Sequence, residues 1–464
     1  MSDPSFTRVL VPSGVLGLGF DETALADALA LEPDIIAIDG GSTDSGPHFL
    51  GTGTSKYADS VIRGEWRTLL EARAAAGVPL VIGSVGTCGT DGQVDRMLAL
   101  TEDLAAELGQ HLRVATVRSE QSTTRLIEAL DAGDLSALGE SPELEAKTLA
   151  SCSHIVALAG AEQVRAALDT GADVVIAGRA TDTALIAALP IARGHDPGAA
   201  WHAAKIGECG ALCSTHPTSG VVVLDIGADG FTVWPTATGA RCTPRTVAAH
   251  MLYENSDPFV LLEPGGRLDV TDARYVALDD RRVRVTGSRW TTDARYTVKL
   301  EGAHIAGYRT MSLALVRDAR YVANGRDWIA RVESRLRDSI HRRLSLEADD
   351  YALDFRLIGM NAVLGPLETE SSNAHEIGVL FLVTAATQAL ADEIARLADP
   401  LLLHCPLTDD EPLPTFAFPF SPAATPRGAL HAFCLDHVWR LTDPMSAFRL
   451  AVHEVGAVVE GVPS

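Results

Sequence analysis

The chain has 464 residues, more than one core of ordinary size accommodates, so two or three domains are expected. Its 47% hydrophobic and 21% charged residues describe a globular chain, not a disordered one. A net charge of −23 would repel a phosphate backbone, and no apolar run approaches the roughly 18 residues of a membrane span, so neither nucleic acid nor membrane is an expected partner.

A first strand is predicted at residues 7–11, followed by Gly14-Val-Leu-Gly17-Leu-Gly19 and a helix over 22–31. A glycine-rich first turn is one element of dinucleotide binding, but this is G-x-x-G-x-G and the fingerprint is G-x-G-x-x-G, so NAD is not expected. The next strand, Asp34-Ile-Ile-Ala-Ile-Asp39, is apolar throughout and stops on an aspartate, as buried parallel strands do. Helices at 59–76, 93–108, 123–131 and 162–169 then alternate with strands at 79–85, 112–117, 154–159 and 173–177. That rhythm implies an α/β fold with a doubly wound, mainly parallel sheet; about six units are too few for a barrel.

After Pro190 the texture changes. Residues 221–225 and 231–234 read as a hairpin, and short alternating strands continue to about residue 300. A helix is expected at 328–346, then a strand at 377–383, a helix at 387–397, and strands near 401–405 and 431–435. The expected division is an α/β domain over 1–346, with an antiparallel elaboration at about 215–320, and a smaller C-terminal α+β domain over 347–464.

Ligands of open parallel sheets bind beyond the carboxyl ends of the strands. The loop Asp39-Gly40-Gly41-Ser42-Thr43-Asp44 lies at such an end and holds more hydroxyls and carboxylates than a turn requires. Gly40 and Gly41 would let the backbone approach a ligand, with Ser42 and Thr43 binding it. Asp91 and Asp182 follow other predicted strand ends, where they either join Asp39 and Asp44 or cap the next helices. Gathered carboxylates would bind a divalent metal such as Mg²⁺ or separate into acid and base, with Arg179 as counter-charge for a substrate carboxylate.

Cys88 stands before a predicted helix, where the dipole would favour a nucleophilic thiolate; the competing reading is a small buried residue in a tight turn. Glu208 is a candidate acid or base, or a hydrogen-bonding residue at a helix end. Cys209, Cys213 and His216 make Cys-x₃-Cys-x₂-His, near zinc spacings without matching one, so the metal stays unknown. Asn361 belongs to a polar group in the C-terminal part, with Asn373, His375 and Glu376. Seven cysteines without regular spacing suggest reduced thiols, and Met1-Ser-Asp-Pro-Ser-Phe6 has no signal-peptide core, so a cytoplasmic setting is expected.

The loop from Asp39 to Gly53 resembles the acyclic terpene utilisation (AtuA-like) family. So do Gly83–Asp91, Ala177–Asp182, Gly207-Glu-Cys-Gly210 and Gly359-Met-Asn-Ala362, which spreads the likeness over most of 7–365. Residues around 373–397 resemble a small partner domain that accompanies the family, here fused. The family is named for pathways that degrade citronellol and geraniol through acyl-CoA intermediates. The resemblance implies the α/β fold and a catabolic enzyme setting. The strand-end residues, which can furnish an acid, a base and an anion clamp without a redox cofactor, add the expectation of lyase, hydratase or isomerase chemistry on a small carboxylate or acyl-CoA thioester. A homo-oligomer is expected, as for most soluble oligomeric enzymes. The alternatives are a non-catalytic subunit scaffolding an acyl-CoA carboxylase or related enzyme, and an NAD(P)-dependent oxidoreductase.

Overall fold

The computed structural model describes residues 5–370 and 373–456. One compact unit holds the chain to His304 together with the stretch from Phe433; the other is Ile305–Ala432.

The first unit is built on a ten-stranded sheet. Its centre is five parallel strands in the order Phe6–Val11, Ile35–Asp39, Leu80–Gly83, Val174–Ala177 and Leu112–Arg118. The reason these read as continuous apolar runs is visible in the side chains. Ile35 and Ala37 enter the core on one face, and Ile36 and Ile38 the core on the other. Val81 against Ile82, and Val175 against Ile176, divide the same way. Both faces are covered by helices, through Trp66 and Val94 on one side and Leu126, Val164 and Trp201 on the other, so the doubly wound α/β reading holds.

The edges are antiparallel. Val222–Gly227 pairs with the first strand, followed by Gly230–Pro235, Val283–Thr286 and Arg274–Ala277, and Arg449–Val455 closes the opposite edge against Leu112–Arg118. The parallel character is thus confined to the middle of a mixed sheet. The predicted strand at 154–159 is not in it: Cys152–Ala157 pairs antiparallel with the start of the long strand Tyr296–Val316.

In the second unit, Ile377–Ala385 lies between Tyr351–Ile358 and the end of Tyr296–Val316, antiparallel to both. It buries alternate residues, as a strand with one face on a core should. Trp328, Val332, Leu336 and Ile340, four apart on the helix Gly325–Leu344, fill that core with Val379, Phe381 and Val383. The strand predicted near 401–405 is instead the last turn of the helix Gln388–His404, which continues through Pro400. Proline forfeits one helical hydrogen bond there, but Ala398 and Leu402 on either side are fully buried and hold the turn.

The boundaries of the two units fall at His304/Ile305 and Ala432/Phe433. The 21-residue strand Tyr296–Val316 runs from the first unit into the second without a linker, and the chain comes back at Phe433.

Candidate active site

The adjacent strands Ile35–Asp39, Leu80–Gly83 and Val174–Ala177 deliver three loops to one rim of the first unit. The backbones of the first two loops are in contact: Gly40 N–H donates to Gly83 O at 2.7 Å, and Thr87 N–H to Gly40 O at 3.1 Å. A Cβ on Gly40 would lie 2.7 Å from that carbonyl, and one on Gly41 (φ +132°) 2.6 Å from Thr87 Cα, so both positions require glycine.

Asp39 is almost wholly buried. Its Oδ2 accepts from Gly41 N–H at 2.9 Å, while Oδ1 is buried without a hydrogen-bond partner among the described residues. Burial first, and the Asp182 charge second, push its pKa well above the usual carboxylate range against the pull of Arg179. Asp182 opens the helix Asp182–Ala192, which Thr181 caps. Burial raises its pKa to about 6, opposed by Arg179 and assisted by Asp44.

Asp39 and Asp182 line a cavity of about 540 Å³, with Gly41, Ser42, Asp44 and Lys56. Its walls also include Tyr57, Cys209, Tyr253 and Glu254. Ser42 Oγ donates to Asp44 Oδ2 at 2.7 Å and caps the short turn Thr43–Ser45. A second cavity, about 200 Å³, shares the Asp39 loop through Gly40 and has an apolar wall of Leu16, Ile62, Ile82, Met97 and Leu100.

Arg179 does not line the cavity, although its Nη1 comes within 3.9 Å of Asp182 Oδ1 on the cavity wall. Its donors are used inside the protein: Nε to Glu301 Oε2 at 3.0 Å, Nη1 to Ser84 Oγ at 2.9 Å, and Nη2 to Thr43 Oγ1 at 3.2 Å. Thr43 Oγ1 in turn donates to Glu301 Oε2 at 3.0 Å. Thr43 and Arg179 therefore fasten the strand-end loops to one another rather than facing a ligand. The charge of Arg179 holds Glu301 below its ordinary pKa in spite of full burial.

Glu208 ends the helix Pro197–Gly207, and its Oε1 accepts from Lys205 Nζ at 2.5 Å. Burial pushes Glu208 up, Lys205 opposes, and Asp182 adds to the rise. Glu263 is also raised by burial, to about 7, and one of its oxygens accepts from Thr183 Oγ1 at 2.5 Å. Lys205 is the ammonium that these carboxyls share: burial alone would lower it, and Glu208 reverses the sign.

Two sequence candidates are placed elsewhere in the unit. Asp91 does begin a helix, Asp91–Leu108, but its carboxylate pairs with Arg449 and its N–H donates to Glu120 Oε2 at 2.9 Å. Cys88 is fully buried, and burial pushes its thiol up, the reverse of the activation that a helix terminus was expected to supply. Thr90 holds the N-cap position without a side-chain capping hydrogen bond, so the helix begins past the sulfur. Asn361 belongs to the second unit, where it lines a cleft with Arg326, Ile329 and Phe355. In the first turn, Glu65 accepts from Gly17 N–H at 2.6 Å and from Gly19 N–H at 2.9 Å, so an internal carboxylate takes the donors that the pyrophosphate reading needs free.

Sequence reasoning missed Lys56, Lys205, His250, Glu263 and Glu301. Lys205 carried a signal, three residues before Glu208 on one helix face. The others sit in no local motif; only the fold brings them to this rim.

The model of the acyclic terpene utilisation family protein AtuA matches residues 43–409. The chain belongs to this family. The AtuA match takes in Thr43, Arg179, Asp182 and Glu208, and begins just after Asp39–Gly41. It also runs through 373–397, so the segment likened to a fused partner domain lies inside the AtuA family match itself. The family name ties the chain to acyclic terpene utilisation. No curated protein and no solved structure matches it.

Proposed function

We propose that this AtuA-family chain is a catabolic enzyme of the lyase, hydratase or isomerase kind, acting on a small acyl-CoA thioester or carboxylate. The observation that carries the reading is the Asp39–Asp182 pair: two carboxyls on one cavity wall whose surroundings hold both above their usual range. Such pairs divide acid and base duties. Asp39, the more deeply buried and raised well above the usual range, is assigned as the acid; Asp182, raised to about 6, is assigned as the base. Adding or removing water across a double bond, or moving the double bond, needs an acid and a base and no redox partner.

The second cavity supports the substrate class. The two cavities share the Asp39 loop, and the smaller one has an apolar wall beside Asp59, Arg63, Gln93 and Arg96, which suits a molecule with a reacting carbonyl end and a branched hydrocarbon tail. Lys56, whose Nζ lies 3.2 Å from Ser45 Oγ, is the ammonium on the polar wall and the proposed partner of a substrate carboxylate or thioester oxygen. Cytoplasmic action and homo-oligomerisation belong to the same proposal; among the described residues no helix is long and apolar enough to cross a membrane.

The scaffolding alternative has one observation of its own: Val363, Leu364 and Leu367 are exposed on the loop after Tyr351–Ile358. The test is turnover of a panel of saturated and α,β-unsaturated acyl-CoA thioesters and their free acids, followed by chromatography and mass spectrometry for gain or loss of water, chain cleavage or a shifted double bond. Conversion by the wild-type chain that disappears in Asp39→Asn is the expected result. No conversion of any member would leave the scaffold reading in its place.

A further inference from the structure

Glu208, Cys209 and His250 bring a carboxylate oxygen, a sulfur and an imidazole nitrogen within 4.8 Å of one another. No other trio of histidine, cysteine or acidic residues converges this closely among the described residues. Two helix ends deliver them. Glu208 and Cys209 follow Pro197–Gly207, and His250 is the last residue of Pro244–His250. The sequence had grouped Glu208 and Cys209 with Cys213 and His216 instead of with His250. Cys213 instead faces Cys242, with 3.9 Å between sulfurs, and His216 Nδ1 is 3.0 Å from Thr215 Oγ1.

A second observation points to a ligand. His250 is only 4% exposed, and its Nε2 has no hydrogen-bond partner among the described residues. Buried polar atoms are nearly always satisfied, so an orphaned imidazole nitrogen beside a thiol and a carboxylate calls for a partner. Tyr253 stacks on the ring, 5.5 Å between centroids and 12° between planes, and fixes its orientation. Lys205 holds Glu208 through Oε1, leaving Oε2 outside that ion pair.

We propose that Glu208, Cys209 and His250 form a three-ligand site for a divalent transition ion of the zinc class, on the wall of the 540 Å³ cavity that Cys209 lines. Sulfur and imidazole donors select zinc or cobalt over the Mg²⁺ that an all-oxygen site would take. Three protein ligands leave a position for water or a substrate oxygen, the pattern of catalytic rather than structural zinc sites. There the ion would polarise a carbonyl oxygen as a Lewis acid. The site does not depend on the reaction class proposed above, and its test needs no turnover.

The full-length chain, stripped with chelator and dialysed, is titrated with Zn²⁺ and with Co²⁺. The expected result is one ion per chain, with a thiolate-to-cobalt charge-transfer band in the near ultraviolet. Cys209→Ser should abolish the band. His250→Gln should weaken binding by at least the roughly 10–100-fold that loss of an outer-shell partner costs. Cys213→Ser, outside the cluster, should leave both unchanged. Circular dichroism checks each variant; if one fails to fold, Glu208→Gln is read by the same affinity criterion. Binding of less than one ion per chain would overturn the proposal. So would equal affinity in the folded Cys209→Ser and His250→Gln proteins, which marks an adventitious ion.

Discussion

Arg179 and Glu301 form an ion pair inside the first unit, Nε to Oε2 at 3.0 Å, with each side chain only 8% exposed. The pair, with Thr43 and Ser84, ties together the loops leaving three neighbouring strands. Glu301→Gln leaves a buried guanidinium short of its counter-charge, a change that typically costs about 3–5 kcal/mol. Urea unfolding at neutral pH should show it, with little change in the slope of the transition. The folded pKa of Glu301 is depressed, so its contribution is present above the ordinary value of 4.5 and is lost as pH falls through the folded value. The gap between wild type and Glu301→Gln should therefore narrow in acid. A constant gap at every pH would show that the charge is not what the site uses.

Asp39→Asn tests the proposed acid. Asparagine keeps an oxygen to accept from Gly41 N–H, so the loop should stand and the melting temperature should hardly move. The proton is lost, and general acid catalysis usually contributes 10²–10⁴-fold, so turnover should fall by about that factor with KM nearly constant. A folded variant of full activity would remove Asp39 from the chemistry.

Much of this arrangement was legible in the chain. Ile35–Ile38 could be read as a buried parallel strand because both of its faces meet helices. Asp39 then falls at the sheet's ligand-binding rim for topological reasons alone. What was not legible came from distance. Glu301 reaches the site from a strand that also serves the second unit, and Arg449–Val455 closes the sheet from the far end of the chain. The partner of Arg179 was hidden for the same reason: Glu301 lies 122 residues away, and without it the guanidinium looked free of internal bonds. His250 stands in a short helix with no spacing to mark it, and only packing sets it beside Glu208.

The apolar cavity gives a specificity prediction. Leu100 lines it from the helix Asp91–Leu108, and Leu100→Trp would project a larger ring toward it and narrow it. A ring placed in empty space does not overpack a filled core, so the melting curve should change little. Activity should separate by substrate. KM should rise for branched, long-chain thioesters and stay level for the shortest one. A uniform rise across the series would mean that the tail does not enter this cavity.

Asp182 supplies the pH signature. Its pKa is about 6 in the folded chain against an ordinary 3.8, so between those values the folded state binds the extra proton. Its own contribution to stability should accordingly fall as pH rises from about 3.8 to about 6 and stay at that lower level above. Asp182→Asn removes the cost of ionising a half-buried group. It also forfeits the favourable interaction of a carboxylate with the first turn of Asp182–Ala192, usually about 0.3–1 kcal/mol. Because burial is the larger influence on this residue, the variant should melt above wild type at neutral pH and lose that advantage in acid. Activity should move the other way. If Asp182 is the base, kcat/KM of the wild type climbs through about pH 6 and then levels. In Asp182→Asn the climb should vanish along with most of the rate. A limb that survives in the variant belongs to another group, and the base would then have to be sought among the remaining carboxyls of the wall, Asp44 and Glu254.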